Sequence, residues 1–169
     1  MHCAVGDTGK TVAARLLPGT DLITGIEQVC KENGIKYASI LNCFGSLLRS
    51  GYFYLVPKVN SKIGAGYGEL NEVEGPIEFL NGTGVVCQRD NQYEVHIHGT
   101  MCDHKGNVFG GHLVKGKNQV LTVDLVLVEI EEMALLRQFD DETEGNQFYP
   151  VKLGESETTY LKNKQEESK

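Results

Sequence analysis

Three histidines have a spacing that could hold a metal ion. His96 and His98 are separated by one residue in a strand-like run, so on a β-strand both side chains point to the same face. His112 follows Gly110 and Gly111 in the next apolar run, which antiparallel pairing would bring beside the first. Three neutral imidazoles with a fourth position open are typical of catalytic zinc sites. We therefore predict that His96, His98 and His112 bind one metal ion.

The ligand set allows more than one metal. Imidazole nitrogens bind zinc, iron, copper and nickel, so the spacing does not choose among them, and availability favours zinc. Because a ligating imidazole must be neutral, we expect occupancy to fall below about pH 6. The alternative interpretation is that His96 and His98 lie on an exposed sheet face and that His112 ends a strand. His104 is expected in a solvated hairpin loop between the two runs.

Other polar residues near these histidines are candidates for catalysis. A metal with an open position could activate water or polarise a carbonyl or phosphoryl oxygen. Glu94 shares a strand face with His96 and His98, so it is the candidate general base or hydrogen-bond acceptor; the alternative is an exposed strand residue. Asp124 is a weaker candidate, since a carboxylate in an apolar strand needs a partner. Cys102 is also on the histidine face, and the five cysteines contain no C-x-x-C pair and indicate reduced thiols.

One glycine-rich segment resembles the end of a phosphate-binding loop. The segment Gly6–Thr11 reads GDTGKT, but Ala4 stands where the full pattern needs glycine. A helix should follow such a loop, whereas Thr11–Leu17 is strand-like and is stopped by Pro18-Gly19. We interpret this resemblance as chance.

A single helix is expected after Pro18-Gly19. Thr20 or Asp21 can cap its N-terminus, and Asn33-Gly34 supplies its C-terminal stop. Its apolar positions recur at helical spacing on one face. They are Leu22, Ile23, Ile26, Val29 and Cys30.

Short runs with a period of two, separated by polar and glycine-containing turns, predict a mostly antiparallel sheet. A turn is expected at Gly45-Ser46 and a loop over Pro57–Gly66. The predicted strands are Thr11–Leu17, Lys36–Cys43, Leu47–Val56, Gly68–Val73, Ile77–Leu80, Thr83–Gln88, Glu94–Cys102, Val108–Val114, Gln119–Glu131, Ala134–Phe139 and Gln147–Val151.

The run Val120–Ile130 is apolar on both of its faces, so we expect both to be covered. One helix cannot cover two faces of a wide sheet. Either a strongly curved, barrel-like sheet or another subunit would provide the cover. In this prediction Val120, Thr122, Asp124, Val126, Val128 and Ile130 share one face, opposite Leu121, Val123, Leu125 and Leu127.

Composition indicates one folded domain. The chain has 169 residues, 40% of them hydrophobic and 23% charged, with a net charge of −7. The acidic balance argues against a large non-specific nucleic-acid surface. With no long apolar segment and no signal sequence visible, we expect a cytoplasmic protein without membrane contact. The predicted division is a flexible N-terminus over 1–10, a domain over 11–152 and a polar tail over 153–169.

Five segments, in order, resemble the plants-and-prokaryotes-conserved (PPC) domain family. Individually they are short, but together they extend over most of the predicted domain, from Val12 to Val151. The segments are Arg15–Leu22, Phe44–Ser46, Gly75–Gly84, His96–His98 and Gly110–Leu113.

The resemblance implies an α+β fold, with a mostly antiparallel sheet and a flanking helix, assembled as a homotrimer. Plant members follow AT-hook motifs, whereas prokaryotic members often stand alone, and this chain has no Arg-Gly-Arg-Pro hook. By family, the chain would be a DNA-binding or regulatory protein with DNA or a regulatory protein as partner. Some prokaryotic relatives hold a metal on histidines matching His96, His98 and His112. The alternative function is a metal-dependent enzyme, or a binding protein for a small polar ligand.

Overall fold

The computed structural model describes residues 1–153 and contains one helix and ten strands in that range. The elements are β1 (Thr8–Leu16), α1 (Leu22–Glu32), β2 (Ala38–Phe53), β3 (Leu55–Pro57), β4 (Ala65–Tyr67), β5 (Asn71–Arg89), β6 (Gln92–Asp103), β7 (Val108–Leu113), β8 (Gln119–Ile130), β9 (Met133–Asp140) and β10 (Gly145–Lys152). Nearly all of the predicted tail lies outside the described residues. No helix in this range has the length and apolar character needed to span a bilayer.

The main sheet is mostly antiparallel and strongly curved. Its eight strands run in the order β1-β8-β2-β7-β6-β5-β9-β10, and β2 pairs with β5 as well as with β7 and β8. The β2–β5 pairing joins strands that lie three places apart in this order, so β2, β7, β6 and β5 form a closed ring. Of the two kinds of cover expected for the apolar strand β8, curling of the sheet supplies part. The other, a neighbouring subunit, is not shown by this single chain.

Helix α1 closes one side of the core and has the predicted face. Asp21 is its N-cap, and the Asp21 carboxylate accepts a 3.0 Å hydrogen bond from the Thr24 amide. The buried face packs against β1, β6 and β8. Its buried residues are Leu22, Ile23, Gly25, Ile26 and Cys30.

The predicted turn at Gly45-Ser46 is wrong, because both residues lie within the continuous strand β2. Gly45 is opposite Val123 of β8, and a Cβ at Gly45 would overlap the Thr122 carbonyl oxygen. Glycine therefore permits a close approach of two strands here instead of a reversal of the chain.

The predicted strands Ile77–Leu80 and Thr83–Gln88 are parts of one long strand, β5, which also includes the last three residues of the predicted strand Gly68–Val73. The glycines and the proline within it do not end the strand, and the pairing of β5 with β2 shifts register near Leu47. The predicted loop Pro57–Gly66 also contains structure, since its ends belong to the small β3–β4 hairpin.

The predicted faces of β8 are partly wrong. Val123, Leu125 and Leu127 are buried as one face, but Val120 is buried with them and Leu121 is exposed. The cause is a register shift where β8 pairs with β2 near Ser46, which reverses the alternation between its two ends.

Two hairpins extend from the ring and contact each other. The β9–β10 hairpin has its own small core, formed by Ala134, Leu136, Tyr149 and Val151. Lys62 in the β3–β4 loop contacts the turn between β9 and β10. Its amide donates to the Glu144 carboxylate at 3.0 Å, and its ammonium donates to the Asp141 carbonyl at 2.7 Å.

Candidate metal centre

The three predicted histidines come together on one side of the ring. His98 on β6 is the direct cross-strand partner of His112 on β7, and His96 is two residues away on the same face of β6. The Nε2 atoms of His96 and His98 are 3.1 Å apart. One ring nitrogen from each histidine lies within 4.8 Å of the others. This spacing would allow the three donors to contact a single cation.

Strand alternation and two glycines create this arrangement. On β6, Val95, Ile97 and Met101 face the core, which leaves the histidines on the opposite face as predicted. On β7, a Cβ at Gly110 would overlap the Gly99 carbonyl oxygen, and one at Gly111 would overlap the Phe53 carbonyl oxygen. The glycines therefore let β7 approach its neighbouring strands closely.

Burial keeps the imidazoles neutral. Desolvation, together with the nearby Arg137 and the other imidazoles, lowers the pKa of His96 to about 4. Desolvation, His98 and Arg137 lower the pKa of His112 to about 4 as well, and desolvation and Arg137 lower that of His98. His96 and His112 therefore stay unprotonated below pH 6, the value at which the sequence alone predicts loss of metal.

Arg137 on β9 is a site residue that the sequence analysis missed. Its Nη1 atom donates to His96 Nδ1 at 3.2 Å, and its side chain is 9% exposed. A signal for it was present in the sequence, because Arg137 is a cation within the apolar run Ala134–Phe139 and a buried cation requires a partner. The partner is a histidine on a strand that does not pair with β9.

Glu94 is held by two arginines. Arg89 Nε lies 2.8 Å from one Glu94 oxygen, and Arg137 Nε lies 3.6 Å from the other. The carboxylate therefore supports Arg137, which contacts His96 in turn. Among the two roles predicted for Glu94, these contacts favour the acceptor over the general base.

Tyr67 on β4 is a second residue that sequence reasoning missed. Its ring lies against His112, with centroids 5.1 Å apart, and against Phe53 at 5.7 Å. Desolvation raises the pKa of Tyr67, while Arg137 lowers it. The β3–β4 hairpin thus covers the centre from one side and β9 from another.

The remaining candidates lie elsewhere. Asp124 is exposed on β8, which pairs with neither β6 nor β7, and His104 is exposed in the hairpin turn. Cys102 donates to the Asp103 carbonyl and does not belong to the metal-spaced group. The segment that resembles a phosphate loop runs directly into β1, without the helix that such a loop requires.

The residues present fit a transition metal with imidazole ligands. His112 Nδ1 is buried and has no hydrogen-bond partner within residues 1–153. Because arginine only donates, His96 accepts at Nδ1 and its Nε2–H donates to His98 Nε2. A cation at His96 Nε2 would require the ring proton to move to Nδ1, which opens the Arg137 contact, or would require the ring to turn.

Solved structures similar to this one include a metal-containing protein. That protein, from Archaeoglobus fulgidus, is 28% identical and has a TM-score of 0.76, and the alignment covers 88% of this chain and 99% of that one. A PPC protein from Pyrococcus horikoshii is 27% identical with a TM-score of 0.75, covering 90% and 100%. A candidate DNA-binding protein from Bacteroides thetaiotaomicron, 20% identical with a TM-score of 0.67 over 85% and 96%, shares the fold.

Sequence relatives extend the comparison. The bifunctional protein GlmU of a Synechococcus strain is 28% identical over 134 residues, which is 79% of this chain. The chain spans only about a fifth (19%) of the length of that relative. Residues 3–131, which include β1 to β8 and all three histidines, match the Plants and Prokaryotes Conserved (PCC) domain. The chain therefore belongs to the PCC (also written PPC) domain family.

Proposed function

We propose that this protein is a metal-binding PCC-domain protein in which His96, His98 and His112 hold one transition-metal ion. The observation that carries the proposal is the set of three ring nitrogens within 4.8 Å of one another. The lowered pKa values of His96 and His112 add support, because ligating imidazoles must be neutral. Zinc is the proposed ion, on availability.

The similarity to the Archaeoglobus protein supports the same proposal. That protein is called metal-containing and is 28% identical over nearly its whole length. Three ligands leave a coordination position for a small polar ligand, and a bound metal would supply Lewis acidity there. Of the chain's own residues, Arg137 orients His96, and Tyr67 shields His112 from water.

The proposal includes assembly as a homotrimer in the cytoplasm. Large apolar side chains on neighbouring strands stay exposed in the single chain, including Leu41 and Phe44 of β2 and Leu80 of β5. Exposed apolar patches commonly mark interfaces, and a second and a third copy would cover them. DNA binding by family association is a different function, which the net charge of −7 does not favour.

Metal content tests the proposed centre. Protein purified without a metal-affinity tag should contain about one metal ion per chain by elemental analysis. His98→Ala should lose most of it, because one of three ligands is removed. His104→Ala is the matched control, since His104 is exposed in the β6–β7 turn, and should keep its metal. Folded, metal-free protein that binds no zinc at micromolar concentration in equilibrium dialysis would contradict the proposal.

A further inference from the structure

A polar cleft of about 420 Å³ lies between the start of β2, the β5–β6 turn and β9. Three cationic residues line it: Lys36, Arg89 and Arg137. Asp90 is the one acidic residue in its lining. In a chain with a net charge of −7, this concentration of positive charge is unlike the surface as a whole.

Arg137 is buried without full compensation. Its side chain is 9% exposed, and its Nε atom has no hydrogen-bond partner within the described range. Glu94 is its nearest carboxylate, at 3.6 Å, and that carboxylate is shared with Arg89 at 2.8 Å. Burying a guanidinium ion is unfavourable unless its charge and its donors are matched. One carboxylate shared by two guanidinium ions leaves a positive excess.

We propose that this cleft binds the oxyanion group, a phosphate or a carboxylate, of a small molecule. Arg137 Nη1 is engaged by His96, so the guanidinium contributes its charge and its remaining donors, which suit either group, and Lys36 adds a point charge at the rim. The occupant is a small molecule because the cationic residues line a small cleft and one of them, Arg137, is buried. A nucleic-acid duplex needs an extended basic surface instead.

The cleft is distinct from the histidine centre but shares one residue with it. Arg137 lines the cleft and also donates to His96. It belongs to β9, which lies beyond residues 3–131, the part of the chain that matches the family. The anion site therefore needs the β9–β10 hairpin and needs no metal.

Titration of metal-free protein with simple anions tests the site apart from the proposed metal. Chelator-treated full-length protein at low ionic strength is titrated calorimetrically with inorganic phosphate and, separately, with succinate. We expect binding of at least one, and the stronger of the two identifies the chemical group. Lys36→Gln and Arg137→Gln should each weaken binding about tenfold, as the loss of one charge-assisted contact predicts.

Lys105→Gln is the control, because Lys105 is exposed in the β6–β7 turn, and it should leave the affinity unchanged. If Arg137→Gln does not fold, the affinity of Lys36→Gln alone tests the proposal. Lys36 is exposed, so its substitution leaves the core intact. No binding of either anion at about 10 mM, or equal affinity in Lys36→Gln and the unmodified protein, overturns the proposal. The proposal would also be overturned if duplex DNA displaced phosphate from the protein and if this DNA binding were abolished in Lys36→Gln. Metal content, measured separately, reports on the histidine centre alone.

Discussion

His98 on β6 lies directly opposite His112 on β7, and their rings meet edge to face with centroids 5.3 Å apart. The turn that joins the two strands fixes this pairing. The Asp103 carboxylate accepts from the amides of Lys105 and Asn107 at 2.8 and 2.9 Å, which closes the hairpin in one register. A shift by one residue would move His112 to the opposite face, so the geometry of the metal centre depends on this turn.

The lowered histidine pKa values predict how stability of the metal-free protein depends on pH. The pKa values of His96 and His112 are about 4 in the folded chain, against 6.5 for an unperturbed imidazole. Between these values the unfolded chain binds more protons, so stability falls as the pH is lowered from 6.5 towards 4. Above pH 6.5 this contribution is complete and constant.

Thermal unfolding of chelator-treated protein between pH 7 and 5 checks this dependence, because most carboxylates stay ionised in that range. The double variant His96→Gln/His112→Gln should have a shallower slope of melting temperature against pH. His104→Gln should keep the slope of the unmodified protein. A melting temperature that stays constant over this interval would contradict the prediction.

Gly111→Ala should destabilise the protein by about 2 kcal/mol, since the new methyl group forces β7 away from the Phe53 carbonyl. The displacement also moves His112, so metal retention should fall with stability. Gly145→Ala is the matched control, because a Cβ there meets no atom closer than 3.8 Å. Urea unfolding and elemental analysis measure both effects. Equal stability and metal content for Gly111→Ala and the unmodified chain would reject the close-packing explanation.

Asn118→Leu should cost about 3 kcal/mol of unfolding free energy. Asn118 is fully buried, accepts from Ser50 Oγ at 2.7 Å and donates to the Val114 carbonyl at 2.7 Å and the Gly51 carbonyl at 3.2 Å. Leucine would leave these groups buried without partners. Asn60→Ala, at an exposed position, should change stability by less than about 0.5 kcal/mol in the same urea titration. Similar values for both variants would contradict a structural role for the Asn118 network.

Duplex DNA should not bind at protein concentrations on the order of tens of micromolar. Non-specific binding requires clustered cations, and the chain has 16 Lys and Arg against 23 Asp and Glu. Fluorescence anisotropy with random and A·T-rich duplexes at low salt measures this. Saturable binding that weakens steeply with added salt would instead support the DNA-binding function that the family suggests.

The double variant Leu41→Ser/Phe44→Ser should shift the assembly towards smaller species. The unmodified protein is expected to sediment at three times its chain mass, with these exposed apolar side chains in the interface. Val59→Ser is the control, because Val59 is 99% exposed on the β3–β4 loop, and it should not change the sedimentation. A monomeric unmodified protein would refute the proposed trimer.

The sequence by itself determined the local features of this protein. The helix face, an N-terminal cap at Thr20 or Asp21 and the placement of His96 and His98 on one side of a strand all follow from residue types within a few positions of one another; the structure selected Asp21 as the cap. The ordered motifs indicated the family that residues 3–131 match. The His98–His112 pairing was also accessible, since a short turn connects the two strands and neighbouring strands tend to pair.

Only the tertiary structure decided features that depend on distant pairings. The continuity of β2 through Gly45, the reversed alternation at Val120 and the closure of the sheet come from the registers of strands far apart in sequence. Arg137 reaches His96 because β9 pairs with β5 through Gln88 and Leu136, which no local pattern encodes. Alternation records which side of a strand a residue faces, whereas strand order and register decide which residues meet across the sheet.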